Sequence, residues 1–499
     1  MGLIIRQSIK SSLSNYAGLI IGYINILYLM PKVFLPNEMG ISRFIIDISG
    51  VLAGFASIGA GFSISRFFPK FRSKENTFHN GFTFWVYTLP FLGFALLCTL
   101  LLISGPSLIN LLKNGGSNTT EYIHIILPLT AIMLMMLVTE QYCAQFGRIV
   151  VVNIVRENGL RIINLVLLVL VWQEIINFNQ FIFCLLISYA LALLVDLAYL
   201  FSINRLSFKP DFEFIKQNKF IKSDFFTYTG ITLIGSLGPV IIARSDYFSV
   251  SMIGGDYSLG IYSMAMSIAI MTELPKRVIL PIIQPVISSL IHEEKWTELK
   301  EVVRKGNINQ VLIGMSILLA IWLNADSIFK IMPNGHKYES GKIIILILGI
   351  GKLFELASVL PGVIINNSHF FRWNLLVTFT CLVTMFIVYY FAVPIWGIKG
   401  TALGVSISYV AYALVNFSIV YRYYKIHWFE STWIKMVFIL ILILVIQELL
   451  PHFSNIWLDI LVRSGSLLML FAFSVLGLKL SQDLNTTLSQ LIKGKFRWF

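Results

Sequence analysis

The chain has 499 residues, of which 57% are hydrophobic and only 13% are charged, and its mean hydropathy is +0.79. A soluble protein of this composition would lack polar surface, so a soluble enzyme or soluble binding domain is excluded. Each bilayer span takes about 20 apolar residues, and the chain is long enough for a dozen or more. We therefore predict an all-α polytopic membrane protein.

The net charge of +13 does not indicate a nucleic-acid partner, because most Lys and Arg residues fall on one predicted face of the membrane. This positive-inside asymmetry predicts that both termini are cytoplasmic. The cysteines fall inside predicted spans without paired spacing, so neither a disulfide nor a metal site is expected. The first apolar segment is too long for a cleavable signal and is expected to stay as helix 1.

Along the chain, hydropathy predicts about fourteen spans. They lie near residues 8–31, 43–66, 82–104, 122–145, 149–171, 180–202, 223–248, 257–289, 307–331, 341–365, 371–394, 400–424, 432–451 and 456–479. The predicted parts are an N-terminal lobe of helices 1–6 at 1–203, a cytoplasmic linker at 204–222, a C-terminal lobe of helices 7–12 at 223–425, helices 13–14 at 426–480, and a basic cytoplasmic tail at 481–499.

Helices 1 and 7 carry matching stripes of small and polar residues, which indicate an internal duplication. The stripes are Ser8, Ser11, Asn15, Gly18, Gly22 and Asn25, and, at a constant offset of 221, Thr229, Thr232, Ser236, Pro239, Ala243 and Asp246. Gly40 and Gly260, near the start of the next span in each half, repeat at an offset of 220. Two pseudo-symmetric lobes would form a parallel-repeat transporter with its substrate site between them. Close helix packing is the alternative explanation of each stripe.

The hairpin from Ser223 to Leu290 carries residues that lipid should reject. They are Arg244, Asp246, Glu273, Pro275, Lys276, Arg277, Pro281 and Pro285. Charges and prolines are tolerated at membrane depth only where they face protein or water. The hairpin is therefore predicted to line a pathway.

Arg161 lies near the middle of helix 5, and Glu157 precedes it by one helical turn. Two interpretations stay open: a structural ion pair with Glu157, or a cation that faces the substrate. Lys352 is similarly central in helix 10 and has Glu355 three residues on. Asn25 ends the helix 1 stripe, and we include Lys352 and Asn25 among the candidate substrate-binding residues.

Three intramembrane carboxylates are candidates for ion coupling: Asp47, Asp246 and Glu273. They could bind H⁺ or Na⁺, or they could simply neutralise nearby cations. No other cofactor is expected. The histidines form no catalytic or metal-binding pattern, and the chain has no phosphate-binding loop, so no catalytic residue is assigned.

Three segments resemble bacterial polysaccharide (O-antigen) flippases of the multidrug/oligosaccharidyl-lipid/polysaccharide exporter superfamily. They are NEMGISRFIIDISGVLAGFASIGAGFSISRFFPK, GDYSLGIYSMAMSIAIMTELPKRVILPIIQPVISSL and PIWGIKGTALGVSISYVAYALVNFSIVYRYYK. The resemblance implies fourteen helices in two six-helix lobes plus a terminal pair. It implies that an undecaprenyl-pyrophosphate-linked oligosaccharide is moved across the bacterial inner membrane by alternating access. It also implies that basic residues hold the anionic head group, here Arg66, Arg161, Lys276 and Arg277.

The implied partners are the lipid-linked oligosaccharide, membrane lipid and other polysaccharide-assembly proteins. Alternatives are a flippase of lipid-linked peptidoglycan precursors and a cation-coupled multidrug exporter. A membrane-embedded polysaccharide polymerase is the rival from the enzyme class. A polymerase should carry a large outer loop with catalytic residues, whereas the longest predicted outer connector is about 104–121. A transporter rather than an enzyme is therefore expected.

Overall fold

A computed structural model describes the chain over most of its length. The described residues are 18–57, 59–60, 64, 68, 71, 81–114, 119–146, 148, 150–203, 219–426, 431–448, 453 and 455–478. Contacts between Cα atoms divide the chain into two compact units, Met1–Ser263 and Met264–Phe499. We call them unit 1 and unit 2.

Among the residues that the structure describes, unit 1 holds six helices with given bounds and most of a seventh. They are α1 (Gly18–Val33), α2 (Pro36–Ala56), α3 (Phe82–Asn114), α4 (Ile123–Gln145), α5 (150–172), α6 (Phe178–Ile203) and α7 (Lys219–Ala269). Helix α2 begins at Pro36, whose fixed φ suits the first helical position, and the Glu38 carboxylate accepts the Leu35 N–H at 3.0 Å. The end of α7 belongs to unit 2.

Unit 2 continues with α8 (Leu274–His292), α9 (Trp296–Leu323), α10 (Ala325–Ile331), α11 (Lys342–Asn367), α12 (Trp373–Trp396), α13 (Ile398–Tyr424), α14 (Ser431–Glu448) and α15 (Ile456–Gly477). Its core includes Ile439 and Ile443 of α14 and Leu467 of α15, beside Leu312 of α9 and Leu360 of α11. The terminal helix pair thus shares the hydrophobic core of unit 2.

These helices confirm the prediction of an all-α polytopic membrane protein. Within the described residues, ten helical stretches are long and apolar enough to cross a membrane, and two shorter apolar helices accompany them. The described ranges contain no β-strand. The division into two six-helix lobes and an appended pair stays a prediction.

The hairpin predicted between residues 223 and 290 contains two local breaks. Gly255 adopts φ 64° and ψ −167°, a conformation that a residue with a Cβ rarely reaches, so α7 is interrupted there. Ile270–Glu273 forms a 3₁₀ turn just before Pro275. Because proline has no N–H to continue the α-helical ladder, the tighter turn accommodates it. The second break places Glu273 at the start of α8.

The two glycines that repeat in the sequence pack against each other's helices. A Cβ on Gly40 would lie 2.2 Å from the carbonyl oxygen of Asp256, and a Cβ on Gly260 would lie 1.8 Å from that of Pro36. The backbones of α2 and α7 therefore cross in direct contact, which only glycine at both positions allows. The repeat predicted from spacing thus coincides with a helix crossing.

Gly260→Ala is expected to destabilise the protein by about 1–3 kcal/mol, because the new methyl group forces the crossing backbones apart. Thermal unfolding of the purified protein in detergent measures the effect. Gly50→Ala is the matched control in α2, since no atom lies within 4 Å of a Cβ at that position. Equal unfolding temperatures for the two variants would show that the crossing contributes nothing.

Candidate functional site

Arg161 lies at the midpoint of α5 and is held between α5 and α1. Its Nη2 pairs with Glu157 Oε2 at 2.5 Å, one helical turn earlier. Its backbone carbonyl accepts the Asn25 side-chain amide at 2.8 Å. The structure therefore brings together two residues that the sequence proposed separately, Asn25 and Arg161. We call Asn25, Glu157 and Arg161 the arginine cluster.

Both helices of the arginine cluster are locally π-helical. The segment Asn25–Leu29 of α1 begins with the cluster's asparagine, and Val155–Gly159 of α5 contains its glutamate. A π turn inserts an extra residue into the helix and re-aims the side chains around it, and such turns are frequent at functional sites. Two of them in neighbouring helices favour a site over simple packing.

The Glu157 ion pair does not use all the hydrogen-bonding capacity of the cluster. Arg161 Nη1 and Asn25 Oδ1 are buried and, among the described residues, have no hydrogen-bond partner; the same holds for Asn164 Oδ1. The structural ion pair weighed from the sequence is present. A second guanidinium nitrogen nevertheless stays available, and buried donors of this kind need a partner. The arrangement can therefore bind an anion while Glu157 fixes the arginine.

Two glycines of the α1 stripe set the width of this site. A Cβ on Gly22 would lie 3.2 Å from Cδ of Arg161, and one on Gly18 would lie 2.7 Å from the carbonyl oxygen of Glu157. We expect Gly22→Ala to displace Arg161 and so reduce transport. The abundance of the protein in the membrane should stay unchanged, because a flexible arginine side chain can shift by a few tenths of an ångström. Gly18→Ala should reduce abundance, because it meets backbone. Immunoblots of membranes beside a transport assay separate these outcomes; equal abundance of both variants would contradict this explanation.

In unit 2, a cluster of charged side chains connects α8, α11 and the 3₁₀ turn Ile270–Glu273 that precedes α8. Glu355 binds Lys276 Nζ through Oε1 and Lys352 Nζ through Oε2, both at 2.8 Å. Lys352 Nζ also lies 3.4 Å from Glu273 Oε2. We call Glu273, Lys276, Lys352 and Glu355 the lysine–glutamate quartet. Tyr409 of α13 adds its hydroxyl at 3.3 Å from Lys352 Nζ.

The charges of the quartet balance, and three of its side chains are at most 16% exposed, whereas that of Lys276 is 31% exposed. The Lys352 side chain is 7% exposed and that of Glu355 is 16% exposed. Two ammonium groups face two carboxylates, so the quartet satisfies itself and presents no net charge to a ligand. A lysine of the quartet can bind an anion only after its ion pair with a glutamate has broken. The sequence suggested three of the four residues as site residues but omitted Glu355, and nothing in the sequence indicated Tyr409.

Of the remaining predicted site residues, Asp47 and Asp246 lie near each other and near Arg244. Asp47 pairs with Arg244 at 3.1 Å. Asp246 is buried and accepts the Tyr262 hydroxyl and the Tyr247 N–H, each at 2.9 Å. Arg277, which follows Lys276 in the sequence, is exposed.

Arg66 lies outside the described residues. In the part of the chain that is described, no three His, Cys, Asp or Glu side chains lie close enough to share a metal ion.

Comparison with known proteins identifies relatives in polysaccharide assembly. A family model described as "polysaccharide biosynthesis protein" matches residues 4–291. The capsular polysaccharide biosynthesis protein CapF of Staphylococcus aureus is 27% identical over 172 residues, which are 34% of this chain and 42% of CapF. The chain therefore matches less than half the length of this relative.

Solved structures share the fold across nearly the whole chain. The lipid II flippase MurJ, in an inward closed conformation, has a TM-score of 0.74 at 13% identity and covers 94% of this chain and 99% of its own. An inward-facing MATE multidrug transporter of the MOP superfamily has a TM-score of 0.60 at 14% identity, with coverages of 82% and 98%. At these identities the likeness shows the fold. Together with the family match, it confirms the resemblance inferred from the sequence.

Proposed function

Because the chain belongs to the polysaccharide biosynthesis protein family, we propose that it is a flippase for a lipid-linked oligosaccharide. The cargo would be an undecaprenyl-pyrophosphate-linked unit of O-antigen, capsule or exopolysaccharide, moved by alternating access across the bacterial inner membrane. Both termini would be cytoplasmic. CapF, which is named for capsule synthesis, and the flippase fold of MurJ support this assignment.

The observation that carries the proposal is the Nη1 of Arg161, at the midpoint of a membrane helix, which has no partner among the described residues. A pyrophosphate that crosses the bilayer needs a compensating cation where water screens least. A guanidinium can bind two phosphate oxygens at once, whereas an ammonium acts as a point charge. Asn25 fixes the backbone at Arg161, and its amide oxygen, which has no partner among the described residues, would accept a sugar hydroxyl.

The quartet would act after Arg161. Its lysines are neutralised by Glu355 and Glu273, so Lys276 and Lys352 can receive phosphate only as those contacts open. Arg277 is exposed and Arg66 is undescribed, and both remain proposed contacts of the head group. The order follows from charge: the site with an unsatisfied donor binds an anion more readily than one that is already balanced.

Coupling to an ion gradient is a separate part of the proposal. Asp47, Asp246 and Glu273 are the candidate carboxylates, and H⁺ or Na⁺ is the candidate ion. Each of the three has a cationic or hydrogen-bonding partner in the structure, as a purely structural role would also require. A transport rate that is unaffected by both pH and Na⁺ gradients would exclude a coupling role for these carboxylates.

Two other transport functions have support from specific observations. The fold of MurJ favours a flippase of lipid-linked peptidoglycan precursor, and the fold of the MATE transporter favours a cation-coupled drug exporter. A polysaccharide polymerase is the enzymatic alternative, which neither the family nor the fold favours. Other polysaccharide-assembly proteins are proposed partners.

Deletion of the gene separates the flippase from the polymerase. Loss of a flippase should leave single lipid-linked oligosaccharide units in the inner leaflet, inaccessible to an enzyme added outside spheroplasts. Loss of a polymerase should instead leave such units outside and unpolymerised. Unchanged lipid-linked saccharides together with increased drug sensitivity would favour the exporter.

A further inference from the structure

Asp196 is a buried carboxyl group on α6 that has no hydrogen-bond donor among the described residues. Its exposure is 0%, and neither carboxyl oxygen has a hydrogen-bond partner among the residues that the structure describes. Other buried aspartates do have donors: Asp246 accepts the Tyr262 hydroxyl, and Asp459 accepts Arg463. An ionised carboxylate in such a position would lose its hydration without compensation. The geometry therefore suits a neutral carboxylic acid.

The groups that face Asp196 come from each neighbouring helix. Helix α4 provides Glu140 and Cys143, α5 provides Arg156, and α3 provides Tyr87, each close enough to interact electrostatically with Asp196. The Tyr87 hydroxyl is bonded to Thr139, at 3.1 Å. The remaining charged groups of α5, Glu157 and Arg161, are paired with each other. Arg156 is thus the one cation acting on Asp196 in the described part of unit 1.

Arg156 forms an ion pair with Glu140, the second carboxylate near Asp196. Its Nη1 pairs with Glu140 Oε2 at 2.5 Å. The side chain of Arg156 is 55% exposed and that of Glu140 is 15% exposed, whereas Asp196 is sealed. One arginine therefore pairs with one partly exposed carboxyl group and interacts electrostatically with a second, which is buried and has no partner among the described residues. Such an arrangement has two states of the same net charge that differ by the position of one proton.

We propose that Asp196 is a proton-binding site of unit 1 and that Arg156 exchanges between Glu140 and Asp196 as the proton moves. In the step, the Asp196 O–H bond breaks and the proton transfers, directly or through water, to a Glu140 oxygen. The guanidinium leaves the newly neutral Glu140 and pairs with the Asp196 carboxylate. Glu140, which is partly exposed, then releases the proton to water. Charge and atoms balance, and no oxidant or cofactor is needed.

The π turn of α5 links this exchange to the arginine cluster. Arg156 and Glu157 are consecutive residues in the segment Val155–Gly159, and Glu157 holds Arg161. A shift of Arg156 from α4 toward α6 would displace the same turn that orients Arg161. Proton movement at Asp196 would then alter the affinity of Arg161 for an anion. This coupling rests on the proposed function, whereas proton binding by Asp196 does not.

Infrared difference spectroscopy of the purified full chain tests proton binding without transport. Wild type should show the carbonyl band of a protonated carboxylic acid, sensitive to deuterium, that disappears when the solution is made alkaline. Asp196→Asn should lack this band and unfold at nearly the wild-type temperature, because an amide resembles the neutral acid. Asp459→Asn is the matched control: its carboxylate has Arg463 and Ser327 as donors, so the band should persist and stability should fall.

A band that survives Asp196→Asn would overturn the proposal. So would a large loss of stability in that variant, since it would show that the ionised form is needed. The coupling is tested in proteoliposomes that carry a fluorescent undecaprenyl-pyrophosphate oligosaccharide. A pH gradient should accelerate wild-type transport and leave Asp196→Asn unaffected. An equal response of both proteins would overturn the coupling, and a transport-inactive wild type would overturn the proposed function while the infrared result stands.

Discussion

Arg161→Ala should reduce translocation of the lipid-linked oligosaccharide at least about tenfold while the protein remains in the membrane. The lost contact is a charge-assisted hydrogen bond to phosphate, worth about 1.5–3 kcal/mol and therefore at least about tenfold in rate. Arg161→Lys should keep part of the activity, because a point charge remains without bidentate geometry. The measurement is initial transport rate per reconstituted protein, with membrane abundance determined beside it.

The Glu157 pair provides the control for this variant. If Arg161 serves only as the partner of Glu157, then Glu157→Gln should reduce abundance as much as Arg161→Ala does. A Glu157→Gln/Arg161→Gln double variant would then recover both abundance and transport. Recovered abundance with transport still absent supports a substrate contact, whereas recovery of transport would end that role for Arg161.

Glu355→Leu should destabilise the protein by about 3–5 kcal/mol, since it leaves buried ammonium groups without their shared carboxylate. Lys276 and Lys352 both depend on Glu355, and Glu273 reaches only Lys352, at 3.4 Å. Thermal unfolding in detergent measures the loss. Adding Lys276→Met should restore much of the stability, because the remaining Lys352 can still pair with Glu273.

An exposed pair in the same unit serves as the control for the quartet. Glu301 and Lys305 form an ion pair one helical turn apart on α9, with side chains 58% and 36% exposed. Glu301→Ala should therefore change stability by less than about 1 kcal/mol. If Glu355→Leu were as mild as this control, the quartet would not be a buried ion network.

The sequence predicted some spans to within about two residues, because their apolar runs are bounded by charged or polar residues, whereas the predicted span 307–331 is displaced from Trp296–Leu323. The predicted span 180–202 corresponds to Phe178–Ile203, and 400–424 corresponds to Ile398–Tyr424. The local geometry within the helices could not be predicted from the sequence. Neither the π turn at Val155–Gly159 nor the one at Asn25–Leu29 has a sequence signature, because both depend on how α1 and α5 pack.

Within the candidate site, spacing along one helix was informative and contact between helices was not. The Glu157–Arg161 and Lys352–Glu355 pairs follow from the helical period. The contact of Lys276 with Glu355, 79 residues away, required the fold. The same limit applies to Asp196: its lack of a donor is a property of its neighbours, which the sequence of α6 does not contain.

Reconstitution provides the most direct measurement of the flippase assignment. Purified protein in liposomes, supplied with a fluorescent undecaprenyl-pyrophosphate oligosaccharide, should bring the sugar of the inner leaflet within reach of an added impermeant glycosidase. Wild type should expose this pool, and Arg161→Ala at equal protein content should leave it protected. Protection in wild-type liposomes equal to that in protein-free liposomes would contradict the assignment, and equal rates for both proteins would contradict the role of Arg161.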